Sequence, residues 1–100
     1  MPFAIQIAPS ALAELKANPV FYRRQITQAI DEQLPHQPTV PTRNRKLLQG
    51  LQPSFECEPP IWELRVGSYR VFYDVDEDSQ TVYVRAVRDK PPQAKTEEIT

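Results

Sequence analysis

Hydrophobic and polar residues alternate most regularly from Trp62 to Val87, WELRVGSYRVFYDVDEDSQTVYVRAV. A period of two is the signature of half-buried strands. Gly67-Ser68 and the acidic stretch around Asp78-Ser79 divide the run into three strands. Gly67 suits the first central position of a type II′ hairpin turn. That turn pairs Val66 with Tyr69, Arg65 with Arg70, Leu64 with Val71 and Glu63 with Phe72. Trp62, Leu64, Val66, Tyr69, Val71, Tyr73 and Val75 then share one apolar face, and Glu63, Arg65, Arg70, Phe72 and Asp74 the other. Turning at Asp78-Ser79 pairs Val75 with Val82, Tyr73 with Val84 and Val71 with Ala86. Arg85 is then expected opposite Phe72, beside Arg65 and Arg70.

Upstream, Phe3, Ile5 and Ile7 alternate with Ala4 and Gln6, which predicts a first strand. Pro9 ends it, and Ser10 is the expected N-cap of a helix with Leu12, Leu15 and Ala11 on its apolar side. Asn18-Pro19 breaks that helix. A second is predicted from about Pro19 to Leu34. Val20, Ile26, Ala29, Ile30 and Leu34 form its stripe, with Phe21 or Tyr22 completing the face. The PHQPTVP stretch from Pro35 to Pro41 excludes both helix and central strand. Arg43 to Gln52 reads as a loop leading into a short strand or turn, Pro53 to Pro60 as a connection, and PPQAKTEEIT as a loop or short helix. One α+β domain over residues 1–100 is expected, with an N-terminal strand and an αα-hairpin packed on one face of a small, mainly antiparallel sheet.

Composition adds limits. No apolar run approaches the roughly 20 residues that span a bilayer, and the N-terminus has no signal-peptide pattern. A single cysteine, Cys57, forms no internal disulfide, which fits a cytoplasmic protein. Cys57 is flanked by Glu56 and Glu58, so its thiol is expected to be unreactive. The net charge of −1 argues against a general nucleic-acid binder. Yet eight of the twelve basic residues lie between Arg43 and Lys90. Like charges aligned on a sheet repel, so a face carrying Arg65, Arg70 and Arg85 is one that an anion would satisfy; RNA is a natural candidate. Arg43, Arg45 and Lys46 form a basic loop, either solvated or in contact with phosphates. Phe72 is the aromatic available for base stacking, whereas Trp62 and Tyr73 fall on the core side. Glu63 is a salt-bridge partner or a general base. His36, among prolines, reads as a surface residue. One histidine and one distant cysteine make no metal cluster.

The order β-α-α-β-β-β, the RNRKLLQGL loop and above all WELRVGSYRVFYDVD followed by VYVRAVRDK resemble the RelE/ParE superfamily of type II toxin–antitoxin toxins, over nearly the whole chain. The resemblance does not separate its branches. RelE-like members are ribosome-dependent mRNA endonucleases, and ParE-like members poison DNA gyrase. On the first branch the resemblance implies catalytic roles for Arg70 and Arg65, a further basic residue at Arg88 or Lys90, no metal or other cofactor, and ribosome, mRNA and a cognate antitoxin as partners. Many RelE-like members carry a lysine where Glu63 stands and a tyrosine or histidine in the C-terminal segment; this chain has neither. The alternative is a non-catalytic module, either a ParE-like gyrase inhibitor or a degenerate toxin that only binds its antitoxin.

Overall fold

The computed structural model describes residues 2–100. The chain runs β1 (Ala4–Ile7), α1 (Pro9–Lys16), α2 (Val20–Gln33), β2 (Arg45–Leu48), β3 (Ile61–Val66), β4 (Tyr69–Asp76), β5 (Thr81–Asp89) and α3 (Thr96–Ile99). The five strands form one sheet in the order β1-β5-β4-β3-β2. β1 is parallel to β5, and every other pairing is antiparallel. The expected α+β architecture is therefore present.

Gly67 takes φ +58°, the left-handed backbone that its turn position requires. The β3–β4 register follows the predicted one from Val66↔Tyr69 to Glu63↔Phe72. Ala11, Leu15, Ile26, Ile30 and Leu34 pack against Trp62, Leu64, Val66, Tyr69, Val71 and Tyr73 to make the main core. Val82, Val84 and Val87 complete it from β5. Asn18, at the break between the helices, is tied to α1 and to β4. Its amide donates to the Glu14 carbonyl (2.9 Å) and its side-chain oxygen accepts from the Tyr69 hydroxyl (2.9 Å). The Tyr73 hydroxyl donates to the Pro38 carbonyl at 2.6 Å, anchoring the proline-rich connection. Burial pushes that hydroxyl's pKa well above its ordinary value.

Three local expectations are corrected. α1 begins at Pro9 with Ala8 in the cap position, and Ser10 does not cap it. Proline lacks the N–H that a first turn leaves unsatisfied, and Ala8 is still engaged with the sheet, donating to the Val84 carbonyl (2.9 Å). The buried stripe of α2 is Ile26 and Ile30; Phe21 is 72% exposed and Val20 and Tyr22 also face solvent. Their turn lies beyond the end of the sheet-covering contact, where only Tyr22 leans on Tyr69 (ring centroids 5.6 Å apart).

The third correction moves a site residue. β4 and β5 pair as predicted at Val75↔Val82 and Tyr73↔Val84, but a bulge follows. Beyond it Phe72 faces Ala86, Val71 faces Val87 and Arg70 faces Arg88. Arg85 is the extra residue. The predicted register would have turned Arg88 into the helix-covered core opposite Tyr69 and left Val87 on the polar face. One inserted residue exchanges them: Val87 is buried in the core and Arg88 is kept out of it.

The sheet's second face is not an open polar surface. Ile61, Phe72 and Ala86 form a second buried cluster there, covered by Leu48, Phe55, Cys57 and Ile99. The connection before β3 and the C-terminal α3 therefore lie across it. Ser54 fixes them together: its N–H and hydroxyl both donate to the Thr100 carbonyl, at 2.7 and 2.6 Å.

Candidate anion-binding site

On the face away from α1 and α2, the strand registers align Arg65 on β3, Arg70 on β4 and Arg88 on β5. The next row holds Lys46, Glu63, Phe72 and Ala86. Three arginines side by side repel, so each needs a compensating contact.

Their surroundings differ. Arg65 is exposed. Arg70 is 9% exposed. One of its terminal nitrogens donates to the carbonyls of Gly67 (2.9 Å) and Tyr69 (2.8 Å), bracing the hairpin. Burial lowers the Arg70 pKa, the carboxylate of Glu63 works against that shift, and the Arg65 charge adds to it. Among the described residues the ion pairs are Arg85–Asp74 and Arg88–Glu14; Arg65 and Arg70 have no carboxylate partner. Two adjacent guanidinium groups, one nearly buried, thus form no salt bridge among the described residues, and Glu63 is the carboxylate whose charge reaches Arg70.

Arg88 is held by its own chain. Its Nε lies 2.6 Å from Glu14 Oε2 in α1; the N–H points off the carboxylate, so the contact is an ion pair rather than an aligned hydrogen bond. A terminal nitrogen donates to the Ile99 carbonyl (2.8 Å), and the guanidinium sits 5.7 Å from the Phe55 ring centre. Glu63 is buried and accepts a hydrogen bond from Thr96 Oγ1 at 2.9 Å.

The other expected residues separate. Arg85 does not join Arg65 and Arg70. As the bulge residue it binds Asp74 through both ends of its guanidinium, at 2.7 and 3.2 Å, and lies 4.9 Å from the Tyr83 ring centre. That bond raises its pKa despite partial burial. Phe72 is 0% exposed and packs on Phe55 (5.7 Å), so no base can reach its ring. Arg45 is buried on the helix side, opposite Leu64. It donates to the carbonyls of Gln33 (2.7 Å), at the end of α2, and His36 (3.1 Å), in the connection that follows. Arg43 and Lys46 are exposed and Lys90 half-buried; Lys46 lies in the row of Glu63 and lines one concavity with Lys90 and Thr96, whereas Arg43 is in the loop before β2. Burial raises the Cys57 pKa, with Asp74 adding to it, Arg85 opposing and Glu58 contributing last.

The structural duty of Arg45 is testable. Arg45→Ala leaves the Gln33 carbonyl at the end of α2 and the His36 carbonyl in the connection after it without this donor, and is expected to lower the unfolding free energy by about 2 kcal/mol. Urea denaturation measures this, and an unchanged midpoint would refute it.

Sequence reasoning missed Glu14 and Thr96. Glu14 has the polar position ordinary for an α1 surface residue, and only the approach of β5's open edge gives it partners.

The comparisons with known proteins agree with this architecture. No curated protein matches the chain. Solved structures that share the fold include three toxins of known toxin–antitoxin systems. The RelBE2 toxin–antitoxin complex from Mycobacterium tuberculosis has 20% identity over 90% of this chain and 100% of that one, with a TM-score of 0.72. The archaeal RelE–RelB complex from Pyrococcus horikoshii has 19% identity over 94% and 100%, with 0.71. The isolated RelE toxin of E. coli has 20% identity over 91% and 87%, with 0.69. The family model described as ParE toxin of type II toxin-antitoxin system, parDE, matches residues 5–90. With most of its length matched and the fold in common, the chain belongs to the ParE toxin family, within the RelE/ParE superfamily of type II toxin–antitoxin systems.

Proposed function

We propose that this toxin is a ribosome-dependent mRNA endonuclease acting in the cytoplasm, and that a cognate antitoxin neutralises it. The observation that carries the reading is the Arg65–Arg70 pair, cross-strand neighbours that form no salt bridge among the described residues. A phosphate diester supplies the missing anion, and guanidinium groups bind it bidentately. In the proposed reaction the ribose 2′-oxygen attacks the adjacent phosphorus and the 5′-oxygen leaves. The 2′-proton passes to a base, and the departing oxygen takes up a proton. Charge accumulates on the phosphoryl oxygens, where the two arginines stabilise it. Glu63, in the next row, is the carboxylate whose charge acts on Arg70, and would have to give up its bond to Thr96 to act as that base. Arg43, Lys46 and Lys90 line the approach as phosphate contacts.

A second reading has its own support. Arg85, Arg88 and Glu63 are all engaged internally, and the matching family model is that of ParE toxins. It makes the chain a non-catalytic inhibitor of a protein target such as gyrase. Induced expression followed by mapping of transcript ends decides between them. The nuclease reading expects translation arrest with mRNAs cut at codons in the ribosomal A site. Intact mRNA accompanied by DNA damage would establish the second reading instead.

A further inference from the structure

β1 covers β5 only from Thr81 to Val84. Past that point the outer edge of β5 is open, and an open edge leaves strand N–H groups unpaired. Glu14 fills the gap. Its Oε1 accepts the Val87 N–H at 3.0 Å, while its Oε2 lies 2.6 Å from Arg88 Nε. One carboxylate thus closes a sheet edge and neutralises the third arginine of the row. Arg88, turned towards α1, spends its remaining reach on the Ile99 carbonyl and the Phe55 ring.

We propose that Glu14 sets how many cations the anion-binding face presents, an inference that rests on reading that face as an RNA-phosphate site. Glu14 is a positioning residue. It keeps Arg88 in an internal ion pair that clasps the C-terminal segment, so that Arg65 and Arg70 alone meet the phosphate. The edge bond needs only a carbonyl-type oxygen, whereas the ion pair needs the negative charge. Glu14→Gln therefore separates the two duties: it keeps an acceptor for Val87 and releases Arg88 to the row.

The test uses the purified full chain and a short single-stranded RNA with 2′-O-methyl riboses, which cannot be cut. E14Q is expected to bind it about fivefold tighter, the scale of one exposed ion pair. Its plot of log affinity against log salt should steepen by about 0.7, the increment for one added phosphate contact on a single strand. Both gains should vanish in E14Q/R88A. E32Q, which changes net charge equally on the exposed side of α2, should leave the slope unaltered. R65A, which removes an exposed guanidinium of the pair, reports on the site itself. Weaker binding by R65A without a steeper slope in E14Q overturns the role of Glu14 and leaves the site standing. Unchanged binding by R65A removes the site, and this proposal with it. Should E14Q fail to fold, nitrogen-15 NMR of the unaltered protein serves. Adding RNA should shift the Arg70 side-chain resonances and not Arg88 Nε–H, and a saturable shift at Arg88 would overturn the proposal.

Discussion

Arg70→Lys is expected to slow RNA cleavage about a hundredfold, roughly 3 kcal/mol of lost transition-state stabilisation. Lysine keeps the charge but not the planar fork that holds two phosphoryl oxygens at once. It is a better variant than alanine because Arg70 also braces the hairpin through the Gly67 and Tyr69 carbonyls. Losing those bonds in Arg70→Ala costs about 1–2 kcal/mol of stability and would confuse unfolding with inactivation. An ammonium group can still reach one of the two carbonyls. Ribosome-coupled cleavage of a defined mRNA, measured beside thermal unfolding, checks the claim. A wild-type cleavage rate in folded Arg70→Lys would take Arg70 out of the chemistry.

Phe72→Ala should be the most damaging substitution on the sheet's second face, lowering the unfolding free energy by about 3–5 kcal/mol. That is a large part of the roughly 5–15 kcal/mol that holds a domain of this size together. The ring is fully buried between Ile61, Ala86 and Phe55, and its removal opens a cavity under both covering segments. A base-stacking residue would behave in the opposite way: truncation would weaken RNA binding and leave stability intact. Chemical denaturation of Phe72→Ala, with Phe72→Leu to refill most of the volume, discriminates between them. An unchanged denaturation midpoint in Phe72→Ala would return Phe72 to the surface.

These two residues mark the boundary of what could be read from the sequence. Arg70 was legible as a site candidate because its position depends on a two-residue turn. Gly67 fixes that turn, and the strict alternation on either side fixes the faces. Phe72 lies on the same strand and its face was also legible, but what covers that face was not. The cover comes from PSFECEPP and from the last turn of the chain, where Phe55, Cys57 and Ile99 are too widely spaced to form a periodic pattern. Arg45 misled for a similar reason. It sits among basic residues, and nothing local reveals that the end of α2 lies within reach of its guanidinium.

The sequence by itself determined the order of β1, the two helices and the strands β3 to β5, the apolar face that receives the two helices, and the adjacency of Arg65 and Arg70. Each of these depends on periodicity or on one short turn. β2 lies where the sequence predicts a basic loop. The tertiary structure decided which third arginine shares their row. The acidic turn before β5 carries no glycine to fix its geometry, and the bulge at Arg85 answers a demand made across the sheet, that Val87 be buried and Arg88 be excluded from the core. The tertiary structure also decided that Arg88 is neutralised from α1 and Arg85 from β4. Charge pairing of that kind depends on distances between segments far apart in the chain, which no local pattern of residues encodes.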